Sequence, residues 1–118
     1  MKRHEQYMKD KMKDQPSEII QQVDVLASLD TVKLQEAEQS YGDSWKQRGG
    51  VGAFMMLARK WDRLEKQVTE HNYDVFTAIS QDTREEGILD DIRDLRRYLF
   101  LVEAEMSLRV RNESGKRK

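Results

Sequence analysis

Three groups of residues in this chain have the types and spacing that chemistry needs. The first is Tyr41-Gly42-Asp43-Ser44-Trp45-Lys46-Gln47-Arg48-Gly49-Gly50-Val51-Gly52, which holds four of the six glycines beside two aromatics, a hydroxyl, a carboxylate and two cations. A Gly-rich turn that feeds a helix N-terminus can present backbone N–H groups to an anion, and phosphate is the commonest such anion. Arg48 can grip a phosphate in a fork, and Trp45 or Tyr41 can stack a base or cover the end of a bundle. The same stretch can equally be a tight connection with no ligand. The second group is Lys60 with Arg63, the third the acidic cluster Glu85, Glu86, Asp90, Asp91 and Asp94, followed by Tyr98.

Helical geometry orders the third group. With Ile88 at zero and about 100° per residue, the apolar seam spans about −40° to +40°, Asp91 lies near about −60°, Tyr98 about −80° and Asp94 about −120°. Asp91, Asp94 and Tyr98 therefore border one side of the seam, while Asp90 points outward. Two carboxylates three residues apart can share Mg²⁺, an ion that keeps several waters for a substrate phosphate. Acids in the first turns of a helix also complement its dipole and pair with arginines three or four residues on, such as Arg93 and Arg97, which needs no metal. Lys60 falls just outside Leu57 and Leu64 and can aim a point charge at a phosphate, whereas Arg63 points away on a solvated face.

Other chemistries are excluded. There is no Cys, hence no disulfide framework and no thiolate metal site. Two histidines, His4 and His71, support neither an imidazole-rich zinc site nor a Ser/His/Asp triad. Gly49-Gly50-Val51-Gly52 leads to Ala53-Phe54, without the Gly-Lys-Ser/Thr of a phosphate-binding P-loop. No apolar run approaches the roughly 18 residues of a membrane span, and Met1-Lys2-Arg3-His4-Glu5-Gln6 lacks the apolar core of a signal peptide, so a cytoplasmic protein is expected.

The elements that position these residues read as helices. A chain of 118 residues, 37% hydrophobic and 36% charged with one proline, suits one charged-surface helical domain. Ser17 and Glu18 begin a helix carrying Ile19, Ile20, Val23 and Leu26; Asp30 or Thr31 either caps a second helix through Val32, Leu34 and Ala37 or lies within one kinked helix. Phe54, Leu57, Ala58, Trp61, Leu64 and Val68 give a clear apolar face after the glycines. His71-Asn72 stops that helix, residues 74–80 form a short one, and Gln81-Asp82-Thr83 breaks the chain again. Ile88, Ile92, Leu95, Leu99, Val102 and Met106 alternate spacings of four and three, the narrow seam of a bundle, which fades near Val110. The expectation is an all-α bundle of about four helices, with a Gly-rich loop between the second and third. A polar, flexible segment over 1–14, a single helical domain over 15–110 and a basic disordered tail over 111–118 are expected. The charge follows this division: residues 1–14 hold five basic and three acidic residues, 109–118 five and one, and the middle 11 and 18. Basic excess confined to the ends argues against a nucleic-acid surface.

Together the motifs resemble the phage and bacterial "nucleotide modification associated domain" type 1 family. That family shows Tyr-Gly-(Asp/Asn)-Ser-aromatic after a first helix, then Lys-x-x-Arg-Leu, then Asp-x-x-x-Asp-Leu-x-x-Tyr. Here they are Tyr41-Gly42-Asp43-Ser44-Trp45, Lys60-Trp61-Asp62-Arg63-Leu64, and Asp90 to Asp94-Leu95 with Tyr98, within residues 30–106. Asp91-x-x-Asp94 with Leu95 and Tyr98 also resembles the Glu-x-x-Asp-Val-x-x-Tyr helix of MazG-like all-α nucleotide pyrophosphohydrolases, which hold Mg²⁺ between that helix and an earlier Glu-x-x-Glu. Asp91 replaces the usual Glu, and the earlier helix offers Lys60 and Arg63 in place of the Glu pair. The resemblance implies a small, homo-oligomeric, phage-type protein that binds or traps a nucleotide, cyclic signals included. Phosphate would meet Lys60 and Arg48 and the base Trp45 or Tyr41, with Asp43, Ser44, Arg63 and Tyr98 as further nucleotide-binding candidates, and Asp91 with Asp94 (Asp90 more weakly) would hold Mg²⁺ or ribose hydroxyls. Mg²⁺-dependent pyrophosphohydrolysis is the enzyme alternative, and a helical protein-interaction module without a ligand is the third.

Overall fold

The computed structural model describes residues 15–85 and 87–116; the expected N-terminal segment 1–14 lies outside the described residues. Contacts group the chain into two compact units, 1–40 and 41–118. Among the described residues there are four α-helices and no strand, the small all-α architecture expected from the periodicity.

The first unit is carried by α1, Glu18–Tyr41. Ser17 opens it: its Oγ accepts from the N–H of Ile20 at 3.4 Å, and its carbonyl accepts from Gln21 N–H at 3.0 Å. The helix does not break at Asp30-Thr31. No Gly or Pro interrupts residues 18–41, and the Thr31 hydroxyl donates back to the carbonyl of Ala27 at 3.2 Å, a bond that keeps the residue inside the helix. The two N-terminal apolar patterns are therefore one helix, and the Gly-rich segment joins the first helix to the second.

In the second unit the glycines divide their labour. Gly42, at φ 61°, turns the chain out of α1, a conformation that costs an L-residue roughly 1–2 kcal/mol. A single 3₁₀ turn, Ser44–Lys46, follows. Gly49, Gly50 and Gly52 then form the start of α2, Gly49–Thr69, and do not stay in a loop. The α2 helix ends with Asn72 and Tyr73 both at positive φ, the Tyr73 N–H donating to Val68 O at 3.0 Å. Asp74 caps the short α3, Val75–Ser80, its carboxylate accepting from the N–H groups of Phe76 at 3.0 Å and Thr77 at 3.1 Å.

The last helix, α4, spans Ile88–Lys116 and so continues through most of the segment expected as a disordered tail. It packs along α2, and the pairs Lys46–Glu105, Lys60–Asp94 and Arg63–Asp91 run in opposite chain directions, so the two helices are antiparallel. α3 packs against both. Among the described residues the buried apolar side chains are few: Ala53 on α2, Ala78 on α3 and Ile88 at the start of α4.

Candidate functional site

Ion pairs run along one edge of the α2–α4 contact. The edge of α4 that the wheel placed beside the seam is the edge that meets α2. Lys60 Nζ lies 3.2 Å from Asp94 Oδ2 and 5.8 Å from the centroid of the Tyr98 ring, close enough for a cation–π contact. One turn along, Arg63 Nε lies 2.9 Å from Asp91 Oδ1, and Asp91 is only 2% exposed. The expected second and third motifs are thus brought together residue by residue, as ion pairs between two helices.

The loop ahead of α4 completes this cluster. Asp82 takes Arg84 in a fork, at 3.0 Å to Nε and 3.3 Å to Nη2, and accepts from the N–H of Ile88 at 2.6 Å, closing the first turn of α4. These bonds, Arg84 first and the Ile88 N–H second, hold the Asp82 carboxyl down from its ordinary 3.8 to about 2. Gly87 is required here: a Cβ on it would run into the Asp82 carboxylate. Arg84 also reaches Asp91, Nη2 to Oδ2 at 3.6 Å, too far for a hydrogen bond, so Asp91 Oδ2 is a buried acceptor without one.

This cluster suits a structural role better than a divalent-cation site. Asp91 faces Arg63 and Arg84, Asp94 faces Lys60, and Asp90 accepts from Gly87 N–H at 3.0 Å and from Arg93 at 2.8 Å. Among the described residues no three His, Asp or Glu converge to hold a metal ion. A hard cation would have to displace a guanidinium or ammonium from each carboxylate it took.

The Gly-rich motif serves the other end of α2. Eleven residues separate Lys60 from Gly49, about 16 Å of helix at about 1.5 Å per residue, so the expected single pocket falls into two places. Tyr41, Asp43, Ser44 and Arg48 are exposed, and neither Asp43 nor Arg48 supplies a side-chain cap to the helix that follows it. Trp45 is half-buried. It lines a groove of about 260 Å³ together with Lys46, Gly49, Gly50, Phe54 and Leu57 on one side and Val102, Glu105, Met106 and Arg109 of α4 on the other.

The rim of this groove holds two cations around one carboxylate. Glu105 accepts from Lys46 Nζ at 2.7 Å and from Arg109 Nε at 2.7 Å, and Lys46 then Arg109 hold its carboxyl below the usual range. Asp43 stands 4.0 Å from Lys46 on the solvent side. Inside the rim the lining is apolar and aromatic, and the first turn of α2 forms its end wall.

Lys46, Glu105 and Arg109 were not among the residues expected at a site, because a pair 59 residues apart leaves no local signal. Asp30, which the sequence offered either as a cap or as a residue within one helix, lies inside α1, 1% exposed. It shares the apolar stripe of Val23, Ala27, Leu34 and Ala37 by spacing, and that spacing, a carboxylate among apolar residues, was its available signal.

Comparison with known proteins finds no match to this chain among protein-family models, curated proteins or solved structures. Among the described residues, no helix is long and apolar enough to cross a membrane.

Proposed function

We propose that this protein binds a nucleotide, or a like molecule joining a flat heterocycle to a phosphate, in the groove at the N-terminal end of α2. One observation carries the reading: the groove joins the ring surfaces of Trp45 and Phe54 to two cations, Lys46 and Arg109, and to Gly49 and Gly50 at the start of a 21-residue helix. The base lies against the apolar and aromatic lining, where a flat ring buries area without needing a polar partner. The phosphate meets the rim, where Lys46 and Arg109 face a single groove carboxylate and the helix dipole favours negative charge.

Binding without turnover is the form of the reading that the residues favour. Glu105, the carboxylate of the groove, is occupied by two cations, and Asp90, Asp91 and Asp94 are each engaged by a basic side chain. Such a protein would hold or sequester its ligand, in keeping with the phage-type resemblance of its motifs.

The test is a panel of mononucleotides, modified nucleotides and cyclic nucleotides, with and without Mg²⁺, read by thermal shift and by product chromatography. A ligand that binds the native state raises its stability by mass action. Stabilisation without product, lost in Lys46→Met and Arg109→Met and kept in Lys60→Met, is the expected result. Release of pyrophosphate would replace this reading with the hydrolase. No stabilisation across the panel would remove it.

A further inference from the structure

Glu105 stands between the two cations of the groove and accepts from both, Lys46 Nζ and Arg109 Nε each at 2.7 Å. Among the described residues no other charged side chain lines the groove, so two cations against one carboxylate leave a single positive charge at its rim. Lys46 and then Arg109 hold the Glu105 carboxyl below the usual range, which keeps it ionised at neutral pH. Neither cation is used up by it. An ammonium and a guanidinium each carry more donors than the one given to Glu105.

We propose that Glu105 makes the groove selective for a nucleotide with one phosphate group over the corresponding di- and triphosphates. This rests on the reading of the groove as a nucleotide site and adds the charge of its ligand. A single phosphate meets the remaining donors of Lys46 and Arg109 while Glu105 stays in place. Each further phosphate adds negative charge for which the rim holds no cation, and it does so beside a fixed carboxylate. A like charge about 6 Å away, through an effective dielectric between about 20 and about 80, disfavours an anion by about threefold to about a hundredfold. Asp43, 4.0 Å from Lys46 on the solvent side, adds to the same field. Arg48 is exposed and does not line the groove. Glu105 thus rejects the wrong ligand by repulsion while leaving the cations able to hold the right one.

Equilibrium dialysis of the full chain tests this, in buffer with EDTA so that no metal ion neutralises the phosphates. The probes are the 5′-mono-, di- and triphosphates of adenosine, guanosine, cytidine and thymidine. For the base that binds, the monophosphate is expected to bind about tenfold or more tightly than the triphosphate. Glu105→Gln brings that ratio close to one. Glu103→Gln, which removes an exposed acid of α4 outside the groove, changes the net charge equally and leaves the ratio as it was. Circular dichroism checks that both variants keep their helix content, and the native ratio is read without any variant. A triphosphate that binds the native chain as tightly as the monophosphate overturns the proposal. So does a ratio that Glu105→Gln leaves in place, or that Glu103→Gln lowers as far. Those results would keep the nucleotide site and remove only its selectivity, whereas absence of binding by every probe removes both.

Discussion

Asp91→Asn separates a structural ion-pair cluster from a spare ligand site. In the native protein the carboxylate is 2% exposed and stands 2.9 Å from Arg63 and 3.6 Å from Arg84. Asparagine keeps the volume and one acceptor for Arg63 but removes the charge and turns an amide donor toward Arg84. Losing one partner of a fully buried pair costs about 3–5 kcal/mol, and an exposed pair contributes about 0–1 kcal/mol. Arg63 and Arg84 are 45% and 33% exposed, so solvent screens part of the interaction and about 2 kcal/mol is expected. For a chain of this size that is a fall in Tm of about 8 °C, or a clear drop in urea midpoint at constant m. A double-mutant cycle with Arg63→Met isolates the pair, and a coupling of about 1 kcal/mol is expected from two groups in contact. Native-like stability of Asp91→Asn, or a cycle that closes to zero, would refute the reasoning and return Asp91 to the candidates for a ligand site.

Three further outcomes follow from the same region and its neighbours. The Asp82 carboxyl is held at about 2 in the folded chain by Arg84 and the Ile88 N–H, below its ordinary 3.8, so its contribution is complete above about pH 4 and fades as the pH falls toward 2; urea titrations over that range show a loss that Asp82→Asn lacks. Gly87→Ala forces the Asp82 carboxylate away from the start of α4, and hydrogen exchange at Ile88 and Arg84 rises while exchange in the middle of α2 does not. Tyr73 is exposed and held at φ 63°, so Tyr73→Gly relieves backbone strain and raises stability by roughly 0.5–1 kcal/mol in a urea melt.

Much of the fold could be read from local chemistry. The stops at His71-Asn72 and Gln81-Thr83, the short helix after Asp74 and the spacing of α4 rest on caps, turn residues and periodicity, which act within a few residues. The glycines were harder. Three of them read as loop because glycine weakens a helix by about 1 kcal/mol each, yet α2 takes them into its first turns. Gly52 there sits where a Cβ would press on the Cβ of Arg48, so the compact turn before α2 needs the missing side chain.

The candidate site was legible in part, and the reason is physical. The wheel placed Asp91, Asp94 and Tyr98 on one edge of α4, and that edge does meet Lys60 and Arg63. Periodicity tells which face of a helix is apolar; it does not tell which neighbour covers it, and here the charged edge beside the seam meets α2 through ion pairs. Trp45 was found because its neighbours are unusual, whereas Lys46, Glu105 and Arg109 became a rim only when two distant segments met. Glu105 and Arg109 have the four-residue spacing of a helix ion pair, but nothing local announces that Lys46 joins them.

The most direct test of nucleotide binding in the groove is an amide chemical-shift titration of the labelled protein with the most stabilising nucleotide of the panel. The account predicts saturable shifts on Trp45, Lys46, Gly49, Gly50 and Arg109, including the Trp45 indole N–H, with Lys60 and Asp94 little changed. Shifts that centre on Lys60, Asp94 and Tyr98, or no saturable shift with any nucleotide, would contradict it.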